Sequence, residues 1–312
     1  MTENRKIVVL AGGVGAAKLI RGLIEVFPQE NIQIIVNTGD DIELFGLKIC
    51  PDLDIITYTV AGVVDEDKGW GFKGETFNCL NILEQYYNIG WFNMGDKDSA
   101  THIFRTDLFS KGFSKSEITK EICHKLGLKS EIIPMTNQWV ETHIITSSGD
   151  IHFEEYFIKY RTEIDVKDVV FQNIINAKPV EGVIEKIENA NVVIVCPSNP
   201  IVSIGPILKV KGIRESLIKV KSKVIAVSPL IQGAPVKGPT DKLMKALNLE
   251  VSALGVAKYY SDFIRHYVID IRDEEIASKI EELGIKPHIF DTLMVDLQKK
   301  IDLAKFIIDI KL

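Results

Sequence analysis

The stretch Lys6–Lys18, KIVVLAGGVGAAK, decides how the chain begins to fold. Its first part, Ile7–Leu10, is branched and apolar, which is typical of a buried strand, and a glycine-rich turn follows. From Ala16 onward, apolar side chains recur every three or four residues as far as Phe27, which predicts an amphipathic helix. The sequence therefore predicts a strand, a glycine turn and a helix in immediate succession.

A turn of this kind can bind a phosphate group. Its backbone can approach the phosphate closely, and the helix that follows offers free N–H groups and a partial positive charge. The candidate phosphate-binding residues are Gly12, Gly13, Gly15 and Lys18. A tight turn without a ligand is the alternative, because the stretch matches neither the Walker A motif nor G-x-G-x-x-G.

Composition places the chain among ordinary soluble globular proteins. Its 312 residues suffice for one large α/β domain or two modest ones. The net charge of −6 disfavours a nonspecific nucleic-acid surface. No apolar run approaches the ~20 residues that span a bilayer, and the first predicted strand leaves no room for a signal peptide before it.

The cysteines form no recognisable zinc or redox motif. They lie far apart in the sequence and include no C-x-x-C pair: Cys50, Cys79, Cys123 and Cys196. Reduced thiols in a cytoplasmic protein fit this spacing best.

Two acidic pairs follow the first helix. Asp40 and Asp41 come just after a second predicted strand, Ile32–Val36, at the end where open parallel sheets bind ligands. Asp52 and Asp54 precede a helix-like segment. Carboxylate oxygens suit Mg²⁺, and paired carboxylates can also orient a hydroxyl group. An acidic turn or helix caps are the alternatives.

The rhythm of strands and helices is interrupted once. Ser114 and Glu117 form a capping-box pattern that predicts a surface helix, and residues 142–156 have the pattern of a β-hairpin. Alternation resumes at Val192–Cys196, and a further short strand is predicted at Val251–Leu254. We therefore expect a core of residues 1–109 and 180–312, with an inserted helix and hairpin at 110–179.

Polar loops follow four of the predicted strands. In a parallel sheet these loops share one edge, so together they predict a site for a phosphorylated ligand, with carboxylates available for a metal. The loops are Gly12–Lys18, Asn37–Asp41, Pro197–Ser203 and Ser228–Gly238.

The motifs also resemble those of a known family. In chain order they are GGVGAAKL, NTGDD, PDLD, GWGFKGET, WFNMGDKDSATH, PMTNQWVETH, HFEEYFIKYR, PSNPIVSIGPIL and SPLIQGAPVKGP. Together they resemble the 2-phospho-L-lactate transferase family over about Ile7 to Met294. Where related sequences often have GGTGT, this chain has valine and alanine, so a hydroxyl contact from that loop is lost and a backbone contact is retained.

The alternation of strands and helices predicts an α/β fold with a doubly wound, mainly parallel Rossmann-like sheet. The resemblance implies a Mg²⁺-dependent transfer of the phospholactyl group from lactyl-2-diphospho-5′-guanosine to the deazaflavin Fo, which releases GMP in coenzyme F-420 biosynthesis. Some relatives use a phosphoenolpyruvyl donor. The gluconeogenesis-factor-like nucleotide-sugar binders share the glycine turn and the GDD motif, and they are the alternative family.

The resemblance and the residue chemistry together suggest roles. The metal candidates are Asp40, Asp41, Asp52 and Asp54, of which Asp41 and Asp54 are also the catalytic candidates. The deazaflavin candidates are Asp54, Lys97, Trp70, Thr76 and His102. The nucleotide candidates are the glycine-turn residues with Lys18, and Ser198, Asn199, Ser203, Gly233 and Gly238. We also expect a cytoplasmic homodimer that binds neither nucleic acid nor membrane.

Overall fold

The computed structural model describes residues 5–87 and 90–312. In chain order its strands are β1 (Ile7–Ala11), β2 (Ile32–Val36), β3 (Ile42–Leu44), β4 (Leu47–Ile49), β5 (Glu131–Pro134), β6 (Glu141–Ile145), β7 (Asp150–His152), β8 (Asp168–Gln172), β9 (Val192–Val195), β10 (Val224–Val227), β11 (Leu230–Ile231), β12 (Ala234–Pro235), β13 (His266–Asp270) and β14 (Lys286–Phe290). Its α-helices are α1 (Gly13–Val26), α2 (Pro51–Val60), α3 (Asn78–Tyr87), α4 (Asp96–Ser110), α5 (Lys115–Lys125), α6 (Val183–Asn189), α7 (Ile204–Lys209), α8 (Ile213–Lys219), α9 (Thr240–Ala246), α10 (Ala253–Tyr260), α11 (Ala277–Glu282) and α12 (Leu297–Ile308).

Seven strands form a central sheet in which every neighbouring pair is parallel. Their order is β14-β13-β10-β9-β1-β2-β5. The chain builds outward from β1 through β2 to β5, then returns to β9 and builds toward the other edge. The strand order therefore reverses between β1 and β9, which is where open α/β sheets bind ligands. The predicted doubly wound parallel fold is confirmed.

The core lies on both faces of this sheet. In β1, Val8 and Leu10 belong to one apolar cluster, whereas Ile7 and Val9 belong to a second. Successive side chains of a strand point to opposite faces, so the two clusters are the two sides of the sheet. Strands buried on both faces need continuous branched apolar runs, as found in β1, β9 and β10.

An antiparallel sheet in the order β7-β6-β8 lies between β5 and β9 in the chain. Its hairpin was predicted, whereas β8 was not. The boundary of the insertion also differs from the predicted 110–179, because β5 pairs with β2 as the edge strand of the central sheet. The short apolar run of β5 lies between a surface helix and a hairpin, and only its pairing with β2 assigns it to the core.

Of two predictions made from short sequence patterns, a helix start is confirmed and a strand is wrong. The capping box of Ser114 and Glu117 begins α5 as predicted. Val251–Leu254 is not a strand, because the Ser252 hydroxyl accepts a hydrogen bond from the Gly255 N–H at 2.9 Å and begins α10. In the described part of the chain, no helix is both long enough and apolar enough to cross a bilayer.

Candidate active site

A cavity of about 510 Å³ opens at the carboxyl ends of the central strands. That volume is sufficient for a ligand of several hundred daltons. Loops that follow β1, β2, β9 and β10 contribute to its lining, as the sequence predicted. Among the predicted site residues, those that line it are Gly12, Gly13, Gly15, Lys18, Asp40, Asp52, Asp54, Trp70, His102, Ser198, Asn199, Ser203 and Gly238.

The glycine turn brings two loops and a helix into direct contact. Gly13 has a φ of +71°, a conformation that costs little only for glycine. A Cβ atom on Gly15 would lie 2.2 Å from the carbonyl oxygen of Pro197, so the loop after β9 requires glycine there. The Gly13 N–H donates to Asp52 Oδ1 at 2.7 Å. The start of α1, the start of α2 and the loop after β9 therefore meet at the switch point.

Asp40 and Asp52 converge on one neutral side chain. The Asn37 amide nitrogen donates to Asp52 Oδ2 at 2.9 Å and to Asp40 Oδ2 at 3.2 Å. Within residues 5–87 and 90–312, neither carboxylate is ion-paired, and the buried Asp40 Oδ1 has no hydrogen-bond partner. Burial raises the pKa of Asp52 to about 6. Burial, aided by the charges of Asp52 and Glu154, raises the pKa of Asp40 well above its usual value.

Glu154 adds a third carboxyl group to this part of the cavity. It follows β7, lines the cavity and is 7% exposed. Burial, with a smaller contribution from the charge of Asp52, raises its pKa to about 8. Asp40, Asp52 and Glu154 therefore interact as like charges, and within the described residues none of the three forms an ion pair. Like charges in this arrangement favour either protonation or a bound cation.

Asp41 has a different environment from its neighbour. Its carboxylate forms a buried ion pair with Lys115, and the two side chains are 1% and 2% exposed. Burial raises the pKa of Asp41, but the Lys115 ammonium opposes the shift. Asp41 does not line the cavity. The structure therefore does not bring this predicted metal and catalytic residue to the site, because a lysine on α5 holds its side chain elsewhere.

Asp54 lines the cavity but is already ion-paired with an arginine side chain. The Arg105 guanidinium on α4 binds both of its oxygens, one of them at 3.0 Å. His102 Nδ1 lies 3.6 Å from Asp54, and its Nε2 lies 3.4 Å from Asp98 Oδ2. The Tyr58 hydroxyl donates to Asp98 at 2.7 Å. These side chains form one buried polar network, and all of them except Arg105 line the cavity. Asp52 and Asp54 lie within the first turn of α2, not before it as predicted.

Two groups of side chains could hold a cation. Asp54, Asp98 and His102 have ligand atoms within 4.8 Å of one another. However, Arg105 already neutralises Asp54, so a divalent ion there would face a second positive charge. Asp40 and Asp52 have no such neighbour, and Asp40 presents an unpartnered oxygen. Oxygen ligands of this kind fit Mg²⁺.

Other residues of the lining carry positive charge and hydroxyl groups. Lys18 and Lys237 both line the cavity, and in the described chain neither forms an ion pair with a carboxylate. Burial, together with repulsion from Lys18, lowers the pKa of Lys237. Among the described residues, the buried Ser198 hydroxyl has no hydrogen-bond partner. Two lysines that repel each other, in a cavity that also contains this hydroxyl, form an environment that an anion would stabilise.

Besides Asp41, three predicted site residues lie outside the cavity. Lys97 donates to the carbonyl oxygens of Lys73 and Gly74, each at 2.8 Å. The Thr76 hydroxyl donates to Asp96 at 2.6 Å near the start of α3. Gly233 lies in the turn between β11 and β12. These residues shape loops around the site instead of lining it.

Sequence reasoning missed several residues that the fold brings to the site. Asn37 directly follows β2 beside the aspartates, so its position in the sequence was a usable signal. Glu154, Lys115 and Lys237 are distant in sequence from the residues that they face. Lys237 lies within the predicted loop Ser228–Gly238, so that loop was a usable signal for it, whereas nothing in the local pattern marks Glu154 or Lys115.

The fold and site together define a class of α/β protein with a small-molecule cavity at the switch point of a parallel sheet. Within that class the chain belongs to the CofD family, because the family model described as "2-phospho-L-lactate transferase CofD" matches residues 7–305. The family and the names of its members make this protein a transferase.

Curated relatives match along nearly their whole length. A Streptomyces griseus protein named phosphoenolpyruvate transferase is 40% identical over 306 residues, with 96% of each chain covered. A Methanosarcina mazei protein named 2-phospho-L-lactate transferase is 38% identical over 302 residues, covering 97% of this chain and 99% of that protein. A solved Bacillus halodurans structure of the UPF0052 family has a TM-score of 0.64 at 16% identity, covering 99% of this chain and all of that one, and shares the fold.

Proposed function

We propose that the protein transfers a 2-phospholactyl group from lactyl-2-diphospho-5′-guanosine to the terminal ribityl hydroxyl of Fo, 7,8-didemethyl-8-hydroxy-5-deazariboflavin. The hydroxyl oxygen forms a bond to the lactate-side phosphorus, the diphosphate P–O bond breaks, and GMP leaves. The product is the phosphodiester coenzyme F-420-0. The observation that carries this proposal is one cavity with an anion-binding wall, unneutralised carboxylates and an aromatic wall.

The anion-binding wall suits the guanosine diphosphate part of the donor. The glycine turn presents the backbone at the start of α1, and Lys18 and Lys237 supply positive charge. Ser198 offers a hydroxyl group without another partner. Ser203, Asn199 and Gly238 complete this wall. Phosphoryl transfer depends mostly on positioning and charge stabilisation, which such a wall provides.

We assign the Mg²⁺ site to Asp40 and Asp52. When bound there, Mg²⁺ would neutralise charge that develops on the phosphoryl oxygens. Asn37 holds both carboxylates in place through its amide group. A diphosphate next to these carboxylates without a cation would be repelled at a cost of several kcal/mol.

The remaining lining suits the flat rings of the deazaflavin. Trp70, Phe92, Phe153 and Phe157 supply apolar aromatic surface. Asp54, whose position is fixed by Arg105, can accept a hydrogen bond from a hydroxyl group of the acceptor, and His102 lies beside it. In this assignment Asp54 orients the acceptor and does not bind the metal.

The enolpyruvyl donor is a second candidate, since relatives that carry each transferase name are about equally similar to this chain. Purified protein would be incubated with Fo, Mg²⁺ and either donor, and the products identified by mass. Calorimetry with Fo, in the presence of GDP and Mg²⁺, tests the acceptor. Absence of binding by Fo, with binding of a sugar nucleotide instead, would contradict the transferase proposal and favour a regulatory protein.

We further propose a cytoplasmic location and a homodimer. The four cysteines are free in the structure, in keeping with a reducing compartment. Light scattering of the purified protein measures the oligomeric state, and fractionation of the source cells measures the location.

A further inference from the structure

The loop that carries Asp40 is hydrogen-bonded to the antiparallel sheet β7-β6-β8. Gly39 precedes Asp40, and its carbonyl oxygen accepts a hydrogen bond from the Thr142 N–H of β6. Asp41 follows Asp40, and its carbonyl oxygen accepts from His152 Nε2 at 3.1 Å. Both neighbours of Asp40 are therefore attached to the same sheet. The first bond belongs to the backbone, whereas the second depends on the His152 side chain.

His152 makes a second bond, to the residue that carries the third carboxyl group. The backbone N–H of Glu154 donates to His152 Nδ1 at 3.1 Å. A backbone N–H can only donate and a carbonyl oxygen can only accept. Nδ1 must therefore be unprotonated and Nε2 must carry the hydrogen. The two bonds together select one neutral tautomer of the ring.

We propose that His152 is a positioning residue that sets the spacing between Asp40 and Glu154 across the metal side of the cavity. One rigid ring links the backbone beside Asp40 to the backbone of Glu154. Both carboxyl groups line the cavity, whereas the imidazole of His152 does not. His152 therefore acts on the site by positioning Asp40 and Glu154. This role rests on the proposed Mg²⁺ site of Asp40 and Asp52.

A matched control lies on the adjacent strand of the same sheet. The ring of His143 packs edge-to-face against that of His152, with centroids 5.5 Å apart. Its nitrogens face Asp150 and Glu141 and make no bond to the loop that carries Asp40. Substitution of His143 disturbs the same sheet and the same ring contact, but leaves both bonds of His152 in place.

The test compares His152→Phe with His143→Phe. Hydrogen exchange needs no metal. It reports directly on the bond of the Glu154 N–H, and it reports on the bond to the Asp41 carbonyl through the mobility of the loop that this bond holds. In His152→Phe, we expect faster exchange in peptides that contain residues 37–41 and the Glu154 amide, whereas in His143→Phe these peptides should exchange as in the wild type. Unchanged exchange in His152→Phe, or equal acceleration in both variants, overturns the proposal.

The effect of the two His152 bonds on the site is measured by calorimetry of Mg²⁺ binding in the presence of GDP and by enzyme kinetics. Residues that orient metal ligands typically contribute about 10–100-fold to metal affinity or activity. We therefore expect His152→Phe to weaken Mg²⁺ binding by about tenfold or more and to lower kcat more than it raises KM for the donor. His152→Gln, which keeps a donor for the Asp41 carbonyl, should recover part of the affinity. No recovery, or wild-type affinity in His152→Phe, overturns the proposal.

The two proposals fail in different ways. If wild-type protein with GDP binds no Mg²⁺, the proposed metal site is wrong. The exchange measurement then still decides whether His152 links the two segments. If the wild type binds Mg²⁺ and His152→Phe binds it equally well, only the role of His152 is wrong.

Discussion

The two acidic pairs of the site look alike in sequence but differ in their electrostatics. In each pair one carboxylate is neutralised by a buried cation: Asp41 by Lys115 and Asp54 by Arg105. In the part of the chain that the structure describes, the other member, Asp40 or Asp52, receives hydrogen bonds from neutral groups only. A carboxylate with a resident cation serves the structure or orients a neutral ligand. A carboxylate without one is available for a metal ion.

The largest effect is expected when one of the two ion-paired aspartates, Asp41, is substituted. Asp41→Asn leaves the Lys115 ammonium buried without its partner, and breaking such a pair typically costs 3–5 kcal/mol, so we expect a loss of about 3 kcal/mol in the free energy of unfolding. Urea denaturation measures the loss. The double variant Asp41→Asn with Lys115→Met should recover most of it, since no unpaired charge remains. Wild-type stability in Asp41→Asn would contradict the assigned ion pair.

The next largest effect is expected when Asp52, one of the two aspartates without an ion-pair partner, is substituted. Asp52→Asn should lower the Mg²⁺-dependent rate of GMP release by about 10²-fold, the size expected for the loss of one electrostatic contact to the transition state. The melting temperature should not fall, because the substitution also removes repulsion among buried carboxyl groups. Asp168→Asn, at an exposed position on β8, is the control. A near-normal rate in Asp52→Asn would remove Asp52 from the metal site.

A smaller effect concerns Glu154 and pH. Its pKa in the folded protein, about 8, lies above that of an unfolded chain, so the protonated form favours folding. This stabilisation is complete at low pH and is lost as the pH rises through about 8. Glu154→Gln cannot ionise, so its melting temperature relative to the wild type should be higher at pH 9 than at pH 6, with EDTA present. An equal difference at both pH values would show that the carboxyl group does not titrate in this range.

The smallest effect lies away from the cavity and has the opposite sign. His266 and His288, on β13 and β14, have ring nitrogens 2.9 Å apart. Burial and the neighbouring charges lower the pKa of His288 to about 4, below that of an unfolded chain. Stability from the neutral ring is therefore present above about pH 6.5 and is lost as the pH falls toward 4. In His288→Gln, the melting temperature should change less with pH over this interval than it does in the wild type. The same dependence of melting temperature on pH in both proteins would contradict the lowered pKa of His288.

Much of the fold could be predicted from local patterns, because continuous apolar runs and capping residues act over short distances. The strand Ile32–Val36 was predicted at the bounds that the structure shows. Segments with weak patterns were harder to assign. The four-residue strand β5 becomes part of the central sheet only by pairing with β2, and Val251–Leu254 lies at a helix start because of the Ser252 cap.

For the site, the sequence by itself determined which loops meet. The carboxyl ends of parallel strands share one edge, so the glycine turn and the first acidic pair had to lie near one another. The second pair is not at the end of a central strand, and only the packing of α2 against the glycine turn brings Asp52 there. Only the tertiary structure decided what each carboxylate faces. Lys115 and Arg105 come from helices more than 50 residues beyond their partners, and no local pattern encodes contacts over that separation. The charge state of each aspartate, and hence its availability for a metal ion, is a property of the packed molecule.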